Sequence, residues 1–319
     1  LGPAFGPVIS GLMCTLFCWR AVFVVPLVGG VVVAAAAAKL VRNVGERSNT
    51  TLDILSVVLL AAGITAFVYS VGEFSTNVMA GIATLFAAVV VLGLFAVRQL
   101  KLKHPVLNVR PMASVRFWPA CLLVVVSMMT TFSMSVLLPL YFEGAYGMTA
   151  LVAGLLILPA IACNAVTSIV GGRVMDARGA WPLLPVGFAL IAVGQTAISM
   201  TAASMNIGVV VLLTVVVYAG VGLVLSPSQT AGLETLPAAE HPHGTALLNT
   251  WNMIAASFGP SLFIGLLSSS AVAAGAAGVA SDVAQAIGFA AAVRVAAVIA
   301  VVGFAVSLVY ARRESHMSH

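Results

Sequence analysis

The chain has 319 residues, of which 61% are hydrophobic and 7% are charged, and its formal net charge is +5. Soluble proteins carry about 25% charged residues, so this composition excludes an ordinary soluble domain and indicates a protein whose solvent is the lipid bilayer. The 14 Lys and Arg residues are spread between apolar runs, as membrane topology signals are, and we therefore predict no binding to nucleic acid.

Ten apolar runs, separated by charges and turn residues, predict an all-α polytopic membrane protein with about ten transmembrane helices and no strands. The chain starts at Leu1, already inside the first run, so we expect it to be a fragment. The Ala-, Gly- and Ser-rich residues 269–284 are expected to form a flexible external connection. The approximate ranges of the runs are 1–17, 21–40, 52–72, 78–97, 118–142, 150–171, 183–202, 206–226, 245–268 and 286–311.

The basic residues fall on alternate connections between these runs. Twelve Lys or Arg residues lie on one set of connections, whereas Arg20 alone lies on the other set. The positive-inside rule places the first set in the cytoplasm. This predicts a multi-pass protein of the cytoplasmic membrane whose C-terminus is cytoplasmic. The longest basic connection, residues 98–117, is either a linker and topology anchor or a segment that lies on the membrane surface.

Residues with catalytic or metal-binding chemistry do not form a recognisable motif. The four cysteines show no CxxC spacing, and His241 and His243 have no Cys or Asp beside them. No protease, hydrolase or nucleotide-binding motif follows a suitable element. We therefore predict that the chain is not an enzyme and binds neither a metal nor a cofactor.

Polar residues at membrane depth are candidates for lining a substrate path, because a polar group that faces lipid is costly. Arg294 lies about a third of the way into the last run, where it pairs with a carboxylate, faces a cavity or snorkels outward; the sequence leaves these alternatives open. The candidate path residues are Glu143 at the external mouth, Asn164, Gln195, Asn249, Asn252 and Arg294.

Two short segments combine glycine with proline or charge. The opening run spaces small residues so that another helix can approach closely, and its prolines invite a bend. The segment 171–179 predicts a tight cytoplasmic turn in which Asp176 caps the helix starting near Trp181; it is either a gate latch or a positive-inside turn. The opening segment contains Gly2, Pro3, Gly6, Pro7 and Gly11, and the second contains Gly172, Arg173, Asp176, Arg178 and Gly179.

These segments resemble motifs of drug:proton antiporters of the major facilitator superfamily, and the resemblance extends over essentially the whole chain. The opening run is similar to the antiporter motif of the fifth helix, with Ser10 in place of one glycine. Residues 171–179 are similar to the second-half copy of the cytoplasmic hairpin motif. Further matches are Asp53, His104-Pro105, Leu138-Pro139-Leu140-Tyr141, Gly154 with Pro159, Gly220-Val221-Gly222 before Pro227, and His243-Gly244-Thr245-Ala246 with Asn249-Thr250.

The resemblance implies a major facilitator fold of the fourteen-helix multidrug branch that lacks roughly its first four helices. Residues 1–48 would end an incomplete N-terminal bundle, residues 49–98 would be two inserted helices, and residues 99–319 would form a C-terminal six-helix bundle. It further implies a monomeric secondary transporter, driven by protons and embedded in membrane lipid, that exports drug-like small molecules by alternating access. The opening motif would pack the bundle interface, and the hairpin would form the cytoplasmic latch.

Alternatives to drug export remain open at this level. A truncated, transport-incompetent remnant, a transporter of a narrow metabolite and an uptake system all fit the same helices. The first four helices, which carry the family's membrane acid and the arginine linked to proton coupling, have no counterpart in this chain, so we assign no proton carrier.

Overall fold

A computed structural model of the chain describes residues 9–13, 16–17, 19–40, 53–73, 77–102 and 105–315. Within these ranges the structure is helical and contains no strand, which confirms the all-α fold class. Nine of the described helices are long and apolar enough to cross a membrane. Of the first predicted span, residues 9–13 are helical. The nine helices are α1 (Val24–Leu40), α2 (Ile54–Glu73), α3 (Val78–Lys101), α4 (Phe117–Tyr146), α5 (Ala150–Arg178), α6 (Leu183–Thr201), α7 (Ile207–Glu234), α8 (His241–Ala276) and α9 (Ser281–Ser315).

Polar residues just outside the apolar runs determine where several helices begin. Asn77 accepts hydrogen bonds from the backbone N–H groups of Met79 and Ala80 at the start of α3. Thr149 and Asn206 cap α5 and α7 in the same way. Such caps satisfy amide groups that have no partner inside the helix.

The connection between α8 and α9 is much shorter than predicted. The two helices are separated only by residues 277–280, so the expected flexible spacer over 269–284 is wrong. Alanine has the highest helix propensity of all residues, and the alanines at the end of α8 continue the helix instead of interrupting it. Gly278, with a φ of 83°, lies in the short reversal that remains.

The helices α4 to α9 pack into one bundle with α4 at its centre. Helix α4 contacts α7, α8 and α9, while α7 also packs against α5 and α6. Helix α9 lies against α6 and α8 as well. Because α4 is surrounded on these sides, most of its side chains are buried, among them Phe117, Leu123, Met134 and Tyr141.

Helices α2 and α3 form a separate antiparallel pair beside this bundle. A Cβ added at Gly63 of α2 would lie 2.6 Å from Leu92 Cδ2 of α3, so glycine is what allows the two helices to approach this closely. The pair touches the bundle through stacked rings of Phe67 and Phe258, whose centroids are 5.1 Å apart. The predicted division of the chain at residues 48 and 98 remains a prediction.

Residues 105–116 are docked on the bundle. Leu107 and Pro111 are buried, and Leu107 joins an apolar cluster that includes Phe95, Phe117 and Leu247. The segment therefore connects the α2–α3 pair to α4 as a packed linker. Its role as a topology anchor or as a segment on the membrane surface remains a prediction.

Candidate substrate path

A polar contact joins three membrane-spanning helices of the bundle. The hydroxyls of Ser135 on α4 and Tyr218 on α7 lie 3.2 Å apart, and the Asn164 amide on α5 donates to the Tyr218 carbonyl at 3.0 Å. Tyr218 is 4% exposed, whereas Ser135 and Asn164 are half-buried. Ser135 and Asn164 therefore carry polar atoms at the edge of a contact that Tyr218 anchors inside the bundle.

Two glycines allow α7 to come close enough for this contact. A Cβ at Gly220 would lie 2.5 Å from the Gly187 carbonyl oxygen of α6. A Cβ at Gly222 would overlap Thr167 Oγ1 and lie 2.7 Å from the Asn164 carbonyl oxygen of α5. The motif Gly220-Val221-Gly222 thus allows α7 to pack closely against two helices, α6 through Gly220 and α5 through Gly222.

The accessible side of α4 runs through Ser135. Val125, Met128, Phe132 and Pro139 are half-buried and follow a spacing of three or four residues, the period of one helix face. The other sides of α4 are covered by α7, α8 and α9. This face is consequently the part of α4 that a substrate or another helix can reach.

A second accessible face is unusually polar for a membrane-spanning helix. On α8, Thr245, Asn249, Met253 and Ser257 are exposed, and half-buried Ser261 continues the same four-residue spacing. We call these five residues the α8 polar face. The hydroxyls of Thr245 and Ser261 donate to carbonyls of their own helix. Of the described residues on this face, Asn249 is the one whose side-chain amide most needs a hydrogen-bond partner outside its own helix.

The exposed face of α5 provides a comparison. Its large exposed side chains are aliphatic, as expected for a surface that contacts lipid or an apolar helix. Because polar side chains facing hydrocarbon are costly, the α8 polar face is suited to water, substrate or a polar partner helix. The exposed aliphatic residues of α5 are Val152, Leu155, Val166, Ile169 and Val170.

The other predicted path residues are dispersed. Gln195 on α6 is completely buried, and both its amide atoms lack a hydrogen-bond partner. Asn252 is 6% exposed, and its Oδ1 also lacks a partner. Glu143 is exposed near the end of α4, and Arg294 is exposed on α9 next to Val295. Of the six predicted residues, only Asn164 joins the Ser135–Tyr218 contact, and the role of all six remains a prediction.

The hairpin segment differs locally from the predicted turn. Helix α5 continues to Arg178, so Gly172, Arg173 and Asp176 lie within the helix, and only Gly179, with a φ of 77°, ends it. Asp176 therefore does not cap α6, which begins at Leu183 without a side-chain cap. Arg173, Asp176 and Arg178 are exposed, and none forms an ion pair within the described part of the chain. Their role as a latch remains a prediction.

The opening motif is described only at its end. A Cβ on Gly11 would lie 2.9 Å from the Ala150 carbonyl oxygen and 3.0 Å from Leu151 Cα, at the beginning of α5. Gly11 thus lies where the backbone of α5 comes closest, which a larger residue would prevent. The other four motif residues, Gly2, Pro3, Gly6 and Pro7, lie outside the described residues.

An ion pair fastens α2 and α3 to each other at their basic ends. Arg98 of α3 donates to both carboxylate oxygens of Asp53, from Nε at 2.8 Å and from a terminal nitrogen at 3.0 Å. The Ser56 hydroxyl also donates to Asp53 at 2.7 Å. The bonds from Arg98 and then from Ser56 lower the pKa of Asp53 to about 2. The carboxylate is therefore charged throughout the physiological pH range.

This ion pair continues into a buried amide. Gln99 is 2% exposed, donates to the Ser56 hydroxyl at 2.6 Å and accepts from the Leu107 N–H at 3.1 Å. The network thus connects α2, α3 and the linker that leads to α4.

Sequence reasoning missed Ser135, Tyr218 and Gln99. Tyr218 is the single aromatic residue in the apolar run before Gly220-Val221-Gly222, and Ser135 ends a run of alternating hydroxyl residues. Both patterns are visible in the sequence. A Ser or Tyr in a membrane helix usually bonds to its own helix or fills the core, so neither pattern identifies the residue as part of a contact between helices. In the described part of the chain, no group of three His, Cys, Asp or Glu residues is placed to hold a metal ion.

Comparison with known proteins places these features in a family. The model described as Major Facilitator Superfamily matches residues 1–260. The chain is 33% identical over 308 residues to YcnB, an uncharacterized MFS-type transporter of Bacillus subtilis, and the match covers 96% of this chain and 65% of YcnB. It is 30% identical over 270 residues to the lincomycin resistance protein LmrB of Listeria innocua, covering 83% of this chain and 57% of LmrB. The chain therefore spans less than two thirds of the length of these relatives.

A solved structure, a bacterial homologue of the iron transporter ferroportin in the inward-facing state, has a TM-score of 0.43 and 14% identity to this chain. The match covers 95% of this chain and 80% of the ferroportin homologue. At this TM-score the similarity supports no closer comparison. The family match, the two relatives and nine helices of membrane-spanning length agree with one another. The chain belongs to the Major Facilitator Superfamily, a family of multi-pass membrane transporters of small molecules.

Proposed function

We propose that the chain acts as part of a secondary transporter that exports amphipathic, drug-like compounds in exchange for protons. The observation that carries this proposal is the similarity to a lincomycin resistance protein over 83% of the chain. The arrangement of charges adds support for the cytoplasmic membrane and for a cytoplasmic C-terminus, because twelve basic residues lie on one set of connections. We further propose the fourteen-helix branch of the family, with α2 and α3 as its inserted pair, and a monomeric transporter.

In this proposal the substrate passes along the faces of α4, α5, α7 and α8 that remain accessible. Ser135 and Asn164 offer a hydroxyl and an amide beside an apolar wall that includes Met128 and Phe132. A mostly apolar surface with few polar groups suits amphipathic compounds of varied shape. The α8 polar face would line the same path, with Asn249 as its hydrogen-bonding group.

The motif residues would act on conformation. Gly11 would keep the first helix close to α5, where the two bundles slide or rock against each other. Arg173, Asp176 and Arg178 would pair with groups on another cytoplasmic loop in the outward-facing state. The proton gradient supplies the energy, and we assign no proton carrier within this chain.

The test is energised efflux by the complete gene product that contains this chain. Cells that express it are loaded with ethidium, and efflux is followed with and without a protonophore; growth in lincomycin is measured in parallel. We expect efflux that collapses with the proton gradient. An intact, membrane-inserted protein that moves neither compound would contradict the drug-export proposal.

Variants of the polar contact test the path. Asn164→Ala and Ser135→Ala are expected to raise the KM for efflux more than they lower its maximal rate, because they remove substrate contacts but no motif residue. Thr196→Ala is the matched control, since its hydroxyl bonds only to the Ala192 carbonyl of its own helix at 2.7 Å. Equal effects of all three substitutions would remove Ser135 and Asn164 from the path.

A further inference from the structure

A cavity of about 390 Å³ lies between the inserted pair and the bundle, in the half of the helices away from the basic connections. Its floor is the stacked pair Phe67 and Phe258, whose rings are inclined by 22°. The other lining residues belong to α2, α3 and α8. The wall contains Phe67, Ser70, Val71, Leu85, Phe258, Leu262, Gly265, Leu266 and Ser269.

The pair is held firmly at the end away from the cavity. The ion pair Asp53–Arg98 and the Gln99 bridge fasten the basic ends of α2 and α3. Close packing at Gly63 keeps α3 against α2, and Leu85 of α3 lines the cavity.

The chemistry of the wall favours an apolar occupant. No charged residue lines the cavity. The Ser70 hydroxyl donates to the Phe67 carbonyl at 2.7 Å, and the Ser269 hydroxyl donates to the Leu266 carbonyl at 3.2 Å. Both protons are therefore used within their own helices, and neither serine offers a donor to a ligand.

The cavity is also unfavourable for water, and leaving it empty is unfavourable as well. Apolar cavities do not retain water, which needs two to four polar partners, and an empty space forfeits the contacts of every side chain around it. The volume lies in the range of small-ligand sites, about 300–1,000 Å³. The cavity is not sealed, because Ser269 is exposed and Leu262 and Leu266 are only half-buried.

We propose that this cavity binds an acyl chain of a membrane lipid, inserted between α2 and α8 above the Phe67–Phe258 stack. The bilayer surrounds these membrane-spanning segments and supplies hydrocarbon chains at high concentration. A flexible chain adapts to the space and restores the dispersion contacts that the separated helices lack. The lipid thereby completes the junction between the inserted pair and the bundle, independently of what the transporter exports.

The proposal is tested with lipids that carry bromine on the acyl chain, which quench tryptophan fluorescence at contact. Phe258→Trp places an indole at the floor of the cavity, and Phe86→Trp, on a side chain that is 71% exposed on α3, reports on bulk lipid. The complete gene product is reconstituted with increasing fractions of brominated lipid. The signal of the native tryptophans, four of which lie in this chain, is measured in the parent protein and subtracted.

Half-maximal quenching of Phe258→Trp is expected at about a tenfold lower fraction of brominated lipid than that of Phe86→Trp, a preference of about 1.4 kcal/mol. Filling the cavity with Gly265→Leu, or narrowing its mouth with Ser269→Phe, is expected to abolish this difference. Val272→Phe, at a position of α8 that is 72% exposed, is the matched control and should preserve it. Two filling variants are used because one of them can fail to fold.

Equal quenching curves for the two reporters would overturn the proposal. It would also be overturned if an exported compound displaced the brominated chain, because the cavity would then belong to the substrate path. Since quenching needs no transport, a failed efflux assay leaves this test intact.

Discussion

Gly222 offers the sharpest test of how α7 is positioned. The change is Gly222→Ala, which adds one methyl group where α5 and α7 cross. Its Cβ would overlap Thr167 Oγ1 and lie 2.7 Å from the Asn164 carbonyl oxygen and 3.0 Å from the Ser168 amide nitrogen. Two of these three atoms belong to backbone, so rotating a side chain cannot relieve the clash.

The magnitude follows from two opposing effects. Ordinary contact begins near 3.4 Å, so α7 must move away from α5 by about 0.7 Å, and a gap of that size forfeits a quarter to a half of the contact energy of the atoms around it. Overpacking of this kind costs about 1–3 kcal/mol. Alanine in place of glycine within a helix gains about 1 kcal/mol. The expected net loss is up to about 2 kcal/mol in the free energy of unfolding.

The assay is thermal unfolding of the purified protein in detergent, compared with Gly93→Ala. Gly93 lies inside α3, and a Cβ there would meet nothing within 4 Å. We expect the control to be as stable as the parent or more stable, because only the helix-propensity gain applies to it. Gly222→Ala is expected to unfold at a lower temperature by a few degrees.

A double variant separates the side-chain clash from the backbone clash. Thr167→Ala removes the overlapping hydroxyl but leaves the Asn164 carbonyl in place, so it should rescue Gly222→Ala only in part. Unfolding of Gly222→Ala at or above the temperature of the parent would refute the inferred close approach of α5 and α7. Full rescue by Thr167→Ala would show that the backbones are farther apart than described.

Three further outcomes are expected. Asp53→Asn should lower thermal stability by a similar amount from pH 8 to about pH 5, and the difference between variant and parent should vanish toward pH 2. The reason is that a carboxylate with a lowered pKa stabilises the fold above its unfolded value of 3.8 and loses that effect as the pH falls through about 2. A stability difference that changes between pH 6 and 8 would exclude the Arg98 pair as its source. Gln195→Leu should raise stability by about 1–3 kcal/mol in the same unfolding assay, since it removes a buried amide without partners; lost efflux without a gain in stability would instead support a place in the substrate path. Gly11→Val should reduce efflux by interfering with the Ala150 backbone while membrane insertion, measured by fractionation, stays normal; unchanged efflux would remove Gly11 from the interface that moves.

Much of the architecture could be predicted from hydrophobicity alone. A run such as 206–226 has no charged residue and must be a helix in lipid, because only a helix satisfies its own backbone there. The residues at which individual helices end were less predictable. Arg178 and Ala276 lie well beyond the predicted ends of α5 and α8. Helix α5 continues through Gly171 and Gly172, where the sequence predicted a turn, because packing can override the low helix propensity of glycine.

The candidate path could be predicted only in part. Asn164 was chosen for being polar at membrane depth, and the structure brings it to Tyr218. Gln195 satisfied the same criterion and is instead fully buried in the bundle. The criterion selects side chains by polarity, and polarity does not say on which face of a helix a residue lies once six helices pack together.

The sequence by itself determined that this protein lies in the membrane and is helical, and it predicts the sidedness of its charges. Each of these depends on the composition and order of residues along single segments. The tertiary structure decided which polar groups meet. Ser135, Asn164 and Tyr218 converge only because Gly220 and Gly222 let α7 approach two neighbours. The cavity beside Phe258 likewise forms between side chains of α2, α3 and α8. Such contacts depend on distances between helices that are far apart in the chain, and no single segment encodes those distances.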